Sequence, residues 1–203
     1  MILAIDTSTA NCSAAIFADD GALIDARDEV IGRGHAERLM PMVEELLGGK
    51  APAQILIGCG PGSFTGLRVG LAAAHGMAIG WNVPLAGMSS LALLAAGAPG
   101  DGPVAAAMTG GHGELFVQAF DSPPLARAGE LLNLPPQAAA SAVTTPLVVG
   151  SGAALLVGAR GTGEAVYLDP SARNALLLPV PLRTLEPRPV YGRAPDARPR
   201  QAA

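Results

Sequence analysis

The chain has 203 residues, enough for one ordinary domain or two small ones packed closely, and 50% of them are hydrophobic against 15% charged, which argues against disorder. Seventeen Asp and Glu against 13 Lys and Arg give a formal net charge of -4, a poor match to a protein that holds nucleic acid through its own summed field. Gly (26) and Pro (18) are abundant while the aromatics number one Trp, two Tyr and four Phe, so the core must be packed mostly with aliphatic and alanine side chains.

MILAI reads as a short strand, Asp6-Thr7-Ser8-Thr9 as a polar turn and CSAAIFA as a second strand; Asp19-Asp20-Gly21 then turns the chain into ALIDARDEV, completing a three-strand meander. After Gly32 and Gly34, HAERLMPMVEELL spaces Leu39, Val43, Leu46 and Leu47 by three and four, predicting an amphipathic helix over 35–47 that ends at Gly48-Gly49. Pro41 falls inside that helix or in its first turn. ILIGC is a short apolar strand, and GPGSFTGLRVGLAAAHGMAIG a glycine-rich turn opening into a helix over 65–79, a sequence of elements that belongs to an α/β protein. The small residues of that helix allow close approach to a neighbour. NVPLAG and SSLALLAAGA supply another strand and helix, with Ser89 or Ser90 as N-cap.

A Gly/Pro-rich junction from Gly97 to Pro103 precedes two adjacent strands, VAAAMTG and ELFVQAF, joined through Gly110 to Gly113. Past Asp121 the periodicity fades: SPPLARAG and NLPPQAAASAVTTP support no assignment, PLVVGSGAALLVGA resembles a strand, glycine turn and helix, and AVYLDPSARNALLLPV a strand and terminal helix. Five arginines from Arg183 onward and prolines at 187, 189, 195 and 199 mark a loosely organised tail. Residues 69–100 carry no Asp, Glu, Lys or Arg, but Pro84 and five glycines interrupt the run, so a membrane span is not expected. The N-terminus has no basic leader and bears Asp6, which reads as a mature cytoplasmic protein.

Cys12 and Cys59 follow apolar segments without Cys-x-x-Cys spacing and read as buried thiols, with pairing left open. His35, His75 and His112 show no metal-ligand spacing; His35 sits at a helix start and His75 within a small-residue helix, where capping, core or interface roles outweigh catalysis. Asp6-Thr7-Ser8-Thr9 lies at a strand end, where a carboxylate can hold a metal-bound water and the hydroxyls can face phosphate; an Asx or Ser/Thr turn is the competing reading. In GPGSFTGLR, Ser63 or Thr65 can cap the helix and its first amides can accept an anion, but the order is not that of a Walker A loop and the chain's one lysine, Lys50, lies upstream. Arg68 can meet a phosphate or carboxylate, or form a salt bridge in the first turn. Glu114 can act as a base or ligand, or merely open a strand. Ser8, Ser63 and Ser151 lack a Gly-x-Ser-x-Gly elbow, so triad chemistry is not expected.

Taken in order, MILAIDTSTANCSAAI, HAERLMPMVEELL and ILIGCGPGSFTGLRVGLAAAHGMAIGWNVPLAGMSSLALLA resemble the TsaB family of bacterial tRNA threonylcarbamoyladenosine biosynthesis proteins. The resemblance is specific over residues 1–97 and continues more loosely through Gly113-Glu114 and Pro189-Val190-Tyr191 with Arg193. It implies an α/β fold of the actin-like (ribonuclease H-like) kind, with a partner-binding lobe over 1–99, a reduced second lobe over 100–190 and a flexible tail over 191–203. It also implies a noncatalytic subunit that binds the catalytic paralogue TsaD, supports assembly with the ATPase TsaE and meets tRNA only through the complex. That complex installs the threonylcarbamoyl group on N6 of adenosine 37 in tRNAs reading codons that begin with adenine. No cofactor is expected in the isolated chain, ATP and a metal belonging to the partner subunits.

Under this resemblance Asp6, Thr7, Ser8 and Thr9, with Ser63 and Thr65, are degenerate phosphate-facing loops. The His-x-x-x-His metal pair of the catalytic paralogue falls at Ser90 and Leu94, neither of which can replace an imidazole. The family's Asp-Ala-Arg-x-Gly-Glu becomes Thr109-Gly110-Gly111-His112-Gly113-Glu114, so only Gly113 and Glu114 carry over. Leu39, Met40, Val43 and Leu47 on the first helix, and Gly70, Ala73, Ala74 and Met77 on the second, are the expected partner interface. The competing readings are a homodimeric nucleotide-binding protein or weak ATPase of the same fold, a homodimer through the same helices, and a tRNA contact by the arginine-bearing tail.

Overall fold

In the computed structural model, which describes residues 1–191, β1 (Ile2–Asp6), β2 (Asn11–Phe17) and β3 (Leu23–Val30) form an antiparallel meander. α1 (His35–Leu47) carries the chain back to β4 (Gln54–Gly58), parallel to β1, and α2 (Phe64–Trp81) carries it to β5 (Leu85–Met88), parallel to β4. The sheet order is β3-β2-β1-β4-β5. Pro41 sits inside α1, whose end is set by Gly48 in the left-handed region, where a glycine carries no Cβ penalty.

α3 (Ser90–Ala96), capped by Ser89 onto the Ala92 N–H, leads into a second unit. Here β6 (Val104–Thr109), β7 (Leu115–Asp121) and β8 (Ala126–Arg127) form the meander, and β9 (Leu132–Leu134) also pairs with β7. α4 (Pro136–Ala142), β10 (Leu147–Val149), α5 (Ala153–Arg160) and β11 (Glu164–Val166) follow, giving the order β11-β10-β6-β7-β8. The two units share one plan: a meander, a helix, a parallel strand beside the first, a second helix and a parallel edge strand. This is the actin-like, ribonuclease H-like arrangement, and the shorter helices and the short β8, β10 and β11 of the second unit make it the reduced lobe. The stretch NLPPQAAASAVTTP, where no periodicity was legible, supplies β9 and α4.

Strand alternation sorts side chains into three cores. Leu3, Ile5, Ile55 and Ile57 point one way, under α1 and α2, and pack with Leu39, Val43, Leu71 and Ala74. Ala4, Ala15, Phe17 and Leu56 point the other way, into a central layer shared with α3 and with Ala106, Met108, Phe120 and Val149 of the second sheet. Ala105, Ala107, Val117 and Val148 face α4 and α5. As the composition required, aliphatic and alanine side chains fill nearly all of this volume, and both cysteines are free and buried.

The lobe boundary expected at residue 190 falls earlier. After β11 the chain recrosses to the first lobe: a 3-10 turn (Ala172–Leu177) packs on β1, β2, β3 and α3. Hydrogen bonds from Thr9 to Asp169, Asn11 to the Pro170 carbonyl and the Ala172 N–H to Ser13 fasten that crossing. In place of one terminal helix stand this turn and α6 (Val180–Arg183). Leu185 then pairs with Gly87, and the Val190 N–H donates to the Cys59 carbonyl. The tail expected over 191–203 lies, after Tyr191, outside the described residues. Among the described residues no helix is long and apolar enough to cross a membrane.

Candidate functional site

The C-terminal ends of β1 and β4 bring together the two motifs that stood out in the sequence. Asp6 is 1% exposed, and each of its oxygens is occupied. Oδ1 accepts from the Ser8 N–H (2.9 Å) and hydroxyl (2.6 Å), and Oδ2 accepts from the Ser90 hydroxyl at 2.6 Å. Ser90 in turn accepts from the Gly60 N–H at 3.1 Å. Burial pushes the Asp6 carboxyl above the ordinary carboxylate range, while hydrogen bonds from Ser8 and Ser90 and the nearby charge of His35 pull it back.

Thr7 and Ser8 are buried as well. Thr7 donates to the Gly66 carbonyl at 2.8 Å, and the Ser63 N–H donates to the Ser8 carbonyl at 2.7 Å, so the glycine loop lies directly on the strand-end turn. Glycine is required for that closeness: a Cβ on Gly62 would stand 2.1 Å from the Ser8 carbonyl oxygen, and one on Gly58 would stand 2.0 Å from Asp6 Oδ2. The residues therefore do not fit a nucleotide phosphate with its metal. The expectation that Asp6 and Thr7 face a phosphate is corrected, because their side-chain oxygens are spent inside the chain, while Ser8 borders the inter-lobe cleft with its hydroxyl given to Asp6. Leu94, the second position of the paralogue's metal pair, is buried in the central core. No group of three or more potential metal ligands occurs among the described residues.

Ser63 and Thr65 remain exposed, Ser63 capping α2 through the Gly66 N–H at 3.2 Å. Ser63 and half-buried Thr9 border a cleft of about 470 Å³ between the lobes, closed on the far side by Thr109, Gly111, Ser151, Tyr167 and Asp169. The two positions that depart from the family pattern, Thr109 and Gly111, thus line this cleft. Thr109 bonds Ser151, its N–H donating to Oγ at 3.1 Å. Glu114 points elsewhere and accepts from Asn133 at 2.7 Å, a tie within the second lobe. Gly113, at φ +76, completes the tight turn before β7. Among the described residues Arg68 pairs with no carboxylate: it donates to the Phe64 carbonyl at 3.2 Å, and its guanidinium lies 3.2 Å from the Phe64 ring centroid and 5.2 Å from that of Tyr191. Tyr191 is therefore a first-lobe residue and not a second-lobe one, and Arg193 lies outside the described residues. His75 is exposed, its Nε2 3.0 Å from the Pro187 carbonyl oxygen.

The expected interface residues divide. Leu39, Val43, Leu47, Gly70, Ala74 and Met77 are buried, covered by their own sheet and by one another. The helical periodicity had marked the face turned inward. Met40 is exposed and Ala73 half-buried. The outward face of α2 carries Ala72, Gly76, Ile79 and Gly80 beside the exposed His75, with no atom within 4 Å of a Cβ built on either glycine, and Ile79 is 81% exposed. Beside it, Met40, Pro41, Val43, Leu47 and Trp81 border a groove of about 470 Å³ between the two helices. Sequence reading placed Gly76 in the contact face together with the inward Gly70 and Ala74 and did not single out Ile79 or Gly80, because small residues lie all round this helix and leave no apolar stripe to tell one face from another.

Residues 28–123 match the family model described as TsaD: tRNA N6-adenosine threonylcarbamoyltransferase. The chain is 39% identical over 123 residues to the tRNA threonylcarbamoyladenosine biosynthesis protein TsaB of Escherichia coli, covering 57% of this chain and 52% of that protein. It is 34% identical over 121 residues to TsaB of Bacillus subtilis, with the same two coverages. The matched region thus spans about half the length of these curated relatives. Among solved structures, YeaZ from Pseudomonas aeruginosa superposes with a TM-score of 0.74 at 32% identity, over 86% of this chain and 88% of that one. A second crystal structure, of a Pseudomonas aeruginosa protein with similarity to peptidase YeaZ, gives 0.76 at the same identity and coverages. With the N-terminal motifs, the duplicated topology and these likenesses in agreement, the chain belongs to the TsaB/YeaZ family.

Proposed function

We propose that this chain is a noncatalytic, partner-binding subunit in the biosynthesis of tRNA threonylcarbamoyladenosine, docking its catalytic paralogue TsaD with the outward side of α1 and α2. TsaE joins the resulting assembly, and tRNA is met through the complex rather than through this acidic chain. The observation that carries the reading is the open face of α2: Ala72, Gly76 and Gly80 let another backbone approach closely, and Ile79 and Met40 offer apolar contacts that are exposed among the described residues. Support for a noncatalytic role comes from Asp6, whose carboxylate is closed off by Ser90 where the paralogue carries an imidazole.

Gly76→Leu fills the open face without touching the core. Calorimetric titration with TsaD is expected to show at least about tenfold weaker binding, equivalent to about 1.4 kcal/mol. Unchanged affinity in a folded variant refutes the docking face. The same face offers the isolated chain a homodimer contact, so sedimentation of the wild type and of Gly76→Leu reports whether self-association uses it.

A further inference from the structure

Among the described residues the two sheets end in four edges, and three of them are protected by their construction. β8, β9 and β11 are two or three residues long, and β5 is covered by Leu185, which exchanges both backbone hydrogen bonds with Gly87. β3 is different. It runs for eight residues, pairs only with β2, and exposes Leu23, Ile24 and Val30. An open edge of that length is a template on which another strand can add.

Alternation tells which backbone groups face outward. The Ile31 N–H donates to the Ala10 carbonyl at 3.0 Å, one step beyond the Asn11–Val30 pair. Glu29, Arg27 and Asp25 therefore turn their N–H and C=O groups toward β2, while Val30, Asp28 and Ala26 turn theirs away. Ile24 falls where the register with β2 shifts, so Ala26 closes the regular part of the edge. Both outward groups of Ala26 are taken by its own neighbours: the N–H donates to Asp25 Oδ1 at 2.7 Å, and the carbonyl accepts from the Arg27 guanidinium at 3.0 Å. The same guanidinium nitrogen donates to Asp25 Oδ1, which closes a clip across the edge. An exposed ion pair of this kind adds little to the stability of the isolated chain. Its position is what distinguishes it, because it leaves only Asp28 and Val30 to receive a strand.

We propose that Asp25 and Arg27 lock the open edge of the first sheet against strand addition by a second copy of this chain. Every copy carries the same edge, so two of them can meet antiparallel about a two-fold axis with no other partner. The lock lies on β3 and not on the outward side of α1 and α2, and it holds or fails apart from the docking proposal.

The full chain carrying Gly76→Leu, in which the helix face is blocked, is the parent for the test. Asp25→Ala with Arg27→Ala is expected to strengthen self-association in sedimentation at least about tenfold over the parent, with a dimer as the limiting mass. Adding Ala26→Pro removes the outward N–H while sparing the bonds to β2, and is expected to return the variant to the parent's mass. Amide exchange gives a readout without substitution in the strand: the Ala26 N–H is expected to exchange more slowly in the parent than in the dilute double variant. Self-association equal to the parent's overturns the lock. So does an Ala26 amide that exchanges equally fast in both, since the clip is then absent. A dimer that survives Ala26→Pro overturns the edge as the surface being guarded.

Discussion

Ser90 gives its hydroxyl proton to Asp6 Oδ2 and takes the Gly60 N–H, tying together strand, glycine loop and α3. Ser90→Ala leaves a buried carboxylate oxygen and a buried N–H without partners and is expected to destabilise the chain by about 1–3 kcal/mol in urea unfolding. The pH dependence follows from the direction of the Asp6 shift. With a folded pKa above the ordinary 3.8, the fold favours the protonated carboxyl. Its contribution is complete below that ordinary value and is lost as pH rises through the raised one. Asp6→Asn cannot titrate, so its stability relative to wild type is expected to improve as pH is raised from about 3 to 7, measured by urea unfolding at each pH. A difference independent of pH refutes the assignment. The tetrapeptide Asp6-Thr7-Ser8-Thr9 was legible as a polar strand-end turn. Whether it faced a ligand was not, because Ser90, the residue that closes it, lies 84 positions away.

At the scale of the element, the period of α1 and its limits at Gly34 and Gly48 were readable directly, as was the glycine turn opening into α2. What periodicity does not tell is who covers an apolar face. Leu39, Val43 and Ala74 were assigned to a partner, yet their own sheet covers them. Two glycines of α2 separate the faces experimentally. On Gly70 a Cβ would stand 2.2 Å from Thr7 Oγ1, so Gly70→Ala is expected to destabilise by more than about 2 kcal/mol. On Gly76 nothing lies within 4 Å, so Gly76→Ala is expected to stabilise the isolated chain by about 0.5–1 kcal/mol through helix propensity. Chemical denaturation of the two variants checks both signs.

In the whole molecule, the second lobe repeats the topology of the first with shorter helices and outer strands, and the chain then comes back to seal the central layer. Ala172, Ala175, Leu178 and Leu182 enter that layer although they follow the last strand of the second lobe. Leu182→Ala is expected to destabilise by about 2–5 kcal/mol. Leu177→Ala, at a side chain 64% exposed, is expected to stay within about 0.5 kcal/mol. Equal effects in thermal unfolding would refute the return of this segment to the first lobe's core. The lobes consequently do not divide the chain into two consecutive pieces, and a fragment ending near residue 168 would lose part of the first lobe's packing.

Local chemistry determined the elements: short apolar runs and the Asp19-Asp20-Gly21 turn wrote the meander of residues 2–30, three-and-four spacing wrote α1, and glycines with Ser63 and Ser89 set the turns and caps. The low aromatic count determined an aliphatic and alanine core. Tertiary structure alone decided which faces those elements bury, because burial depends on partners distant in sequence. It placed Ser90 on Asp6, Tyr191 on Phe64 and Arg68, and residues 172–191 on the first lobe. It also turned the apolar stripe of α1 and α2 inward, leaving Ala72, Gly76, Ile79 and Gly80 to meet whatever docks there.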